Sequence, residues 1–337
     1  MKYNPLGKTG LNVSRLSFGA SSLGGVYGAV DERESIQAVH TALDLGINYF
    51  DVAPAYGGTL AETLLGKALR GIPRDRYYIS TKVGKLTPNG NCSQNAFDYS
   101  RAGIRASLDE SARRLGTEYF DIIHIHDIEY QCRRHTEWAL SEGFAAVTEL
   151  KKEGRIGNVS FGVYPMDLWR RIFSTLPLDA ALVHNHYTLA DKCALELIAA
   201  AKEKGIGIIN GSPFASGLLS EREAPDWHPA THKDRLLFRA AGEFCRNRGV
   251  PISKLALQFS SQNPDFPTTL FSSARSISVR KNVQWHEEPF DPDLLAQVRT
   301  ILAPVMNKQW DYDEGQERLR PLPAAGAASG LPVAPVA

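Results

Sequence analysis

Four side chains in this 337-residue sequence are of types that move protons: Asp51, Tyr56, Lys82 and His126. Three of them close short, largely apolar runs: Tyr49-Phe50-Asp51, Tyr78-Ile79-Ser80-Thr81-Lys82 and Ile122-Ile123-His124-Ile125-His126. Tyr56 lies a few residues beyond Asp51, in the loop that follows. A buried Lys82 ammonium would favour ionised Tyr56, because a nearby opposite charge stabilises a phenolate. Asp51 would hold Lys82 charged and oriented, and His126 offers a hydrogen bond to a carbonyl or hydroxyl oxygen. Such a set fits proton transfer coupled to hydride transfer and needs no metal. Any one of these residues alone reads as a structural ion pair or as packing. Their joint placement at strand ends is what points to chemistry.

The elements that must position them alternate along the chain. Strands are expected near Leu16–Phe18, Tyr49–Asp51, Tyr78–Lys82, Ile122–His126, Ile156–Gly162, Ala181–Asn185, Gly207–Asn210 and Thr268–Phe271. Amphipathic helical patterns fall near Arg33–Leu45, Ala61–Leu69, Arg101–Leu115, Trp138–Lys152, Pro165–Thr175, Ala194–Lys204, Lys254–Ser261 and Val279–His286. Eight strand–helix units make an α/β fold of the (β/α)8 TIM-barrel class, in which chemistry sits at the C-terminal strand ends. Asp31 and Ser100 suit helix N-caps, and Gly46, Gly116, Gly154 and Gly205 suit helix ends. A hairpin turning at Gly7-Lys8-Thr9-Gly10 precedes the first strand. A long loop, residues 213–250, follows the seventh strand and carries its own helical pattern from about Asp234 to Arg248. Residues 1–320 are expected to form a single domain. The Pro/Ala/Gly-rich tail, 321–337, is expected to be disordered.

Composition narrows the function classes. A formal net charge of +1 with interspersed acids and bases gives no basic stripe for nucleic acid and no polybasic membrane patch. No apolar run approaches the roughly 20 residues of a membrane span, and the N-terminus lacks the apolar core of a signal peptide. Cys92, Cys132, Cys193 and Cys245 are scattered, with no C-x-x-C pair, which argues against a zinc knuckle or a disulfide scaffold. These features lead us to expect a soluble, cytoplasmic protein acting on a small molecule as a monomer or weak homo-oligomer.

The run Gly46-Ile47-Asn48-Tyr49-Phe50-Asp51-Val52-Ala53-Pro54-Ala55-Tyr56-Gly57, followed by Glu62 and Leu65-Gly66, resembles the signature of the aldo-keto reductases. So does Asp121-Ile122-Ile123-His124-Ile125-His126, and the resemblance extends from Leu6-Gly7 to about Asn282. It implies a catalytic tetrad of Asp51, Tyr56, Lys82 and His126, with Tyr56 as general acid or base. Phe18–Gly24, Tyr56-Gly57-Gly58-Thr59, His126-Asp127-Ile128-Glu129 and Pro225–Ala230 are similar to a branch of that family that oxidises sugars of the L-galactose or L-fucose type. For this chain that implies an NAD-dependent aldose 1-dehydrogenase: Tyr56 takes the C1 hydroxyl proton while the C1 hydride goes to NAD+, leaving a lactone.

The same resemblance implies cofactor contacts, although no G-x-G-x-x-G fingerprint is present. Ser212, Pro213, Phe214, Ser216, Gly217 and Leu218 would wrap the pyrophosphate, and Ser272, Arg275 and Asn282 the adenosine. NADP-using members carry Lys and Arg where this chain has Ser272 and Ser278, which favours NAD. Arg275, Arg280 and Lys281 nearby keep NADP possible. The family's carboxamide-binding Ser-Asn is replaced by Tyr164-Pro165, and its Gln by His184 with Asn185 beside it, so either of the latter two takes over that contact. Three other readings stand beside this one: an NADP-dependent carbonyl reductase of the same family, a metal-dependent hydrolase using the His124/His126 and His184/His186 pairs, and a non-catalytic cofactor-binding subunit.

Overall fold

The eight apolar runs become eight parallel strands closed into a barrel, seen in a computed structural model that describes residues 1–86 and 96–312. An antiparallel hairpin comes first, β1 (Tyr3–Pro5) with β2 (Asn12–Ser14). The barrel takes β3 (Leu16–Gly19), β4 (Tyr49–Asp51) and β5 (Tyr78–Val83) in sequence order. A two-residue ladder, β6 (Lys85–Leu86) with β7 (Ala96–Phe97), leaves the barrel at its rim. The barrel then continues with β8 (Phe120–His126), β9 (Ile156–Val163), β10 (Ala180–His184), β11 (Gly207–Gly211) and β12 (Thr268–Ser272), which pairs back with β3. The expected tail, 321–337, and Cys92 lie outside the described residues.

Helices cover the barrel because each carries an apolar stripe. In α1 (Glu32–Asp44) Ala38, Val39 and Ala42 are fully buried, and Asp31 caps the start by accepting the Glu34 amide at 2.8 Å. Helices α2 (Leu60–Leu69) and α3 (Arg101–Leu115) follow β4 and β7, and Ser100 caps α3 as expected. The helix anticipated over Trp138–Lys152 is broken into α4 (Thr136–Trp138), a wide π-helical turn at Ala139–Gly143, and α5 (Phe144–Lys152). Next come α6 (Met166–Thr175), α7 (Ile198–Lys204), α8 (His232–Arg246), α9 (Ile252–Gln262) and α10 (Ser276–Glu287). A further helix, α11 (Pro292–Leu302), has no counterpart in the sequence expectations. Its signals are an Asp291 N-cap, Pro292 in the first turn, and a buried stripe of Leu294, Val298 and Leu302. Among the described residues no helix is long and apolar enough to cross a membrane.

The barrel interior is apolar below and polar above. Leu6 and Val13 of the hairpin close the lower end against Tyr49, Ile122, Leu182 and Ile209. Burying each such aliphatic side chain stabilises by about 1.5–3 kcal/mol. Gly7 permits this approach. Its φ is +55°, and a side chain there would collide with the backbone of residues 205–207.

Two segments arch over the upper end. The long loop after β11 is tied down by Arg235 of α8, whose guanidinium donates to the carbonyls of Ala224 (2.8 Å), Pro225 (2.9 Å), His228 (2.8 Å) and Ala230 (3.2 Å). The chain beyond α11 forms a strap held by Asn307 N–H to Ala190 O (2.8 Å), by Lys308 to Asp234 (2.8 Å) and by the Trp310 amide to the Tyr164 hydroxyl (2.9 Å).

Candidate active site

Strand alternation delivers the polar cluster. Ser80 and Lys82 point into the barrel from β5, while Thr81 points outward and bonds Glu62 at 2.6 Å. His124 and His126 share the inner face of β8 for the same reason. Register sets Asp51 beside Ser80 and Lys82 beside His124. Lys82 Nζ lies 2.6 Å from both Asp51 oxygens and donates to Val52 O at 3.0 Å. Ser80 Oγ donates to Asp51 Oδ1 at 2.7 Å, and His124 Nε2 approaches the same oxygen at 3.4 Å. Asp51 and Lys82 are 3% and 1% exposed, so each charge relies on the other rather than on water.

Tyr56 is brought to this pair by a backbone contact. Gly57 has a φ of +63° and faces Gly24, in the turn after β3, so closely that a Cβ on either would collide with the other segment's backbone. With that contact made, the Tyr56 ring centre lies 5.4 Å from Lys82 Nζ and 6.3 Å from the His126 ring, perpendicular to it.

Electrostatics corrects one sequence expectation. Burial raises the Tyr56 phenol well above its ordinary pKa, and the Asp51 and Asp127 carboxylates raise it further. The argument from Lys82 alone predicted a lowered value. Burial outweighs that attraction, and the carboxylate that anchors Lys82 at 2.6 Å also opposes ionisation of the phenol. Burial would also raise Asp51, but the Lys82 ammonium and His124 outweigh it and hold the carboxyl well below the ordinary range. His126 is pushed down to about 3 by burial, with Lys82 and Lys85 adding to the shift against Asp127. It is therefore a neutral ring at physiological pH, and its buried Nδ1 has no partner.

These residues line the inner end of a cavity of about 1010 Å³ that runs across the barrel mouth to the start of α10. Ser212, Pro213, Phe214, Ser216 and Gly217 line it. Ser212, Ala215, Ser216 and Gly217 have positive φ, a tight winding that turns backbone toward the cavity. Leu218 departs from expectation: its side chain is in the core and its amide donates to Ala215 O at 3.1 Å. Ser272, Arg275, Ser278 and Asn282 line the far end. The Ser272 hydroxyl is engaged by Ser22, accepting from its amide and donating to its hydroxyl, both at 2.8 Å. Asn185 lines the cavity with a φ of +63°, and its amide donates to Ser216 Oγ (2.9 Å) and to the Tyr312 hydroxyl (2.8 Å). The missing side chain of Gly211 keeps the floor open, since a Cβ there would stand 3.1 Å from His184 Cβ. A cleft of this size, polar at both ends, fits a dinucleotide with a small substrate beside it.

Several groups in or beside the cavity were not anticipated. Tyr312 arrives on the strap, and its ring meets Tyr164 edge-on at 4.8 Å. Glu34 of α1 accepts from the Ser276 amide (2.7 Å) and hydroxyl (2.8 Å) at the first turn of α10. Lys85 pairs with Asp127 at 2.5 Å. Only Asp127 and Glu129 had a sequence signal, in the motif after His126. The histidine pairs do not converge as metal ligands. His124 Nδ1 bonds Ser160 Oγ at 2.8 Å, and His186 is held by the Tyr164 carbonyl (2.6 Å) and Asp191 (3.2 Å). Among the described residues no cluster of three or more His, Cys, Asp or Glu is placed to hold an ion.

A closed parallel barrel with a proton-transfer cluster at its open end defines the class, a barrel oxidoreductase, and comparison with known proteins agrees. Residues 15–303 match the aldo/keto reductase family. The chain is 38% identical to L-galactose dehydrogenase of Arabidopsis thaliana over 90% of its own length and 95% of that protein's. It is 32% identical to D-threo-aldose 1-dehydrogenase of a Pseudomonas species, over 88% and 97%. An aldo-keto reductase from Bacillus halodurans, solved in its holo form, superposes with a TM-score of 0.73 at 27% identity, covering 93% of this chain and 99% of that one. The chain belongs to the aldo/keto reductase family, whose members are oxidoreductases that use nicotinamide cofactors.

The Gly24–Gly57 contact makes a direct prediction. Gly57→Ala displaces Tyr56 while leaving the barrel intact. Turnover should fall about 100-fold, the usual scale for an ångström of misplacement, with an unchanged circular dichroism spectrum.

Proposed function

We propose that this protein oxidises the anomeric hydroxyl of an aldose of the L-galactose or L-fucose type to the lactone, with NAD+ preferred as acceptor. The reading is carried by one observation: Tyr56, Lys82 and His126 share a continuous cavity with the winding at residues 212–217 and the first turn of α10. The names of the two sugar-oxidising relatives support the choice of substrate. The mixed-charge composition supports a soluble enzyme, and the proposal extends to a cytoplasmic monomer or weak homo-oligomer.

When bound, the nicotinamide supplies the hydride acceptor. Ser212, Pro213, Phe214, Ser216 and Gly217 would hold its pyrophosphate, and Arg275 and Asn282 its adenosine. Asn185, fixed by Ser216 and Tyr312, would be available to its carboxamide. Neutral His126 donates an N–H to the sugar oxygen at C1 and orients it. Tyr56 receives the proton of that hydroxyl. It serves as base only after losing its own proton, and Lys82, anchored by Asp51, supplies the positive charge that stabilises the phenolate as it forms. A phenol with a raised pKa is equally a proton donor, which favours a second reading, carbonyl reduction at the same site.

Cofactor preference rests on Glu34. Hydrogen bonds from Ser276 hold its carboxyl below the ordinary range, so a negative charge occupies the first turn of α10. A helix start is where a phosphate would otherwise be favoured.

The decisive assay is NADH or NADPH absorbance with a panel of aldoses. L-Galactose or L-fucose with NAD+ should give signal, and flat traces with every sugar and both cofactors would defeat the proposal. Tyr56→Phe should bind cofactor yet lose about 10²–10⁴ in turnover. Because the base must be deprotonated, kcat/KM for sugar oxidation should rise with pH through the alkaline range, whereas carbonyl reduction should decline. A rate of oxidation that falls as pH rises contradicts the role given to Tyr56. Glu34→Gln removes that negative charge and should narrow the NAD+/NADP+ preference severalfold, read as the ratio of kcat/KM values.

A further inference from the structure

A second buried ion pair lies beside the first, and the chemistry above leaves it without a role. Lys85 Nζ is 2.5 Å from Asp127 Oδ2 and sits 4.1 Å over the Tyr130 ring. Asp127 Oδ1 is 3.2 Å from His126 Nε2. Lys85 and Asp127 are 5% and 6% exposed. Glu129 follows, with Oε1 accepting the Tyr164 amide at 2.8 Å and Oε2 buried with no partner. Lys85, Asp127 and Glu129 all line the cavity, on the side of His126.

Stability does not account for this arrangement. A buried ion pair is often no better than an apolar replacement, and an unpartnered buried carboxyl oxygen is unfavourable. The set does match a ligand. Lys85 offers only donors and Asp127 only acceptors. Burial, then repulsion from Asp127, raises Glu129 to about 8, so at neutral pH it is a carboxylic acid that both donates and accepts. Hydroxyl groups on neighbouring carbons each donate once and accept, and three such partners side by side complement a polyol. A simple aldehyde or alcohol would leave them unmatched.

We propose that Lys85, Asp127 and Glu129 form the wall that binds the sugar hydroxyls remote from the reacting carbon, and so select polyhydroxylated substrates. The assignment rests on the aldose reading above. Binding energy gathered there holds C1 against Tyr56 and His126, so the wall contributes to turnover as well as to affinity.

The test uses the full chain and the variants Lys85→Met and Glu129→Met, which keep side-chain length while removing the hydrogen-bonding groups. We would measure kcat/KM for L-galactose and for its monodeoxy analogues at C2, C3, C4 and C6, with NAD+ affinity measured separately by titration. Each variant should lose efficiency on L-galactose, about 10- to 100-fold for Lys85→Met, the scale of a hydrogen bond involving a charged group, and about 2- to 10-fold for Glu129→Met, the scale of a neutral one. Each should lose little on the one deoxy sugar that lacks its partner, on which the wild type is already poor. NAD+ affinity should stay unchanged. An equal loss on every sugar, or no loss on any, overturns the assignment while leaving the aldose reading in place. A wild type inert toward every sugar overturns both.

Discussion

The Asp51–Lys82 pair is the interaction on which the site depends. Two opposite charges, both almost wholly buried, sit at 2.6 Å inside the barrel. Breaking such a pair by removing one partner typically costs about 3–5 kcal/mol, because the survivor is stranded. The surrounding bonds from Ser80 and to Val52 O keep the pair in one geometry. They also set the electrostatics of Tyr56: a neutralised lysine lets burial dominate, so the free protein holds a phenol. The same positive charge is present when a phenolate has to form.

The scaffold explains why the pair tolerates its position. Lower in the barrel, Leu6 and Val13 complete an apolar plug beneath the polar cluster. Above it, Arg235 and the strap around Lys308 fix two otherwise irregular segments through backbone carbonyls and one ion pair. Tyr312 and the loop bearing Trp227 thereby become parts of a cavity wall, with Trp227 set 5.9 Å from Tyr27.

Much of this was legible in the sequence because period and punctuation agree. All eight barrel strands were placed to within two residues at each end, and the candidates Asp51, Lys82 and His126 came from asking which titratable residues ended them. Other features depend on long-range contacts that no local pattern encodes. Glu34 meets Ser276 across 242 residues, and Tyr312 meets Asn185 across 127. The sign of the Tyr56 shift was missed because the attraction of Lys82 was weighed without the burial of the phenol itself. Helix α11 is a different case, since Asp291, Pro292 and the buried stripe are a sufficient signal. The break at Ala139–Gly143 has no such marker, and we have no physical account of it.

The hairpin plug turns the barrel into a cup rather than a tube. Whatever reaches the cluster at Tyr56 does so across the upper rim, past the same loops that the dinucleotide must cross. Two guests of unequal length sharing one doorway cannot come and go independently. In the proposed arrangement the longer one would lie along the wall from α10 inward, and the smaller one would take the space that remains. Order of arrival, in such a vessel, is a matter of depth.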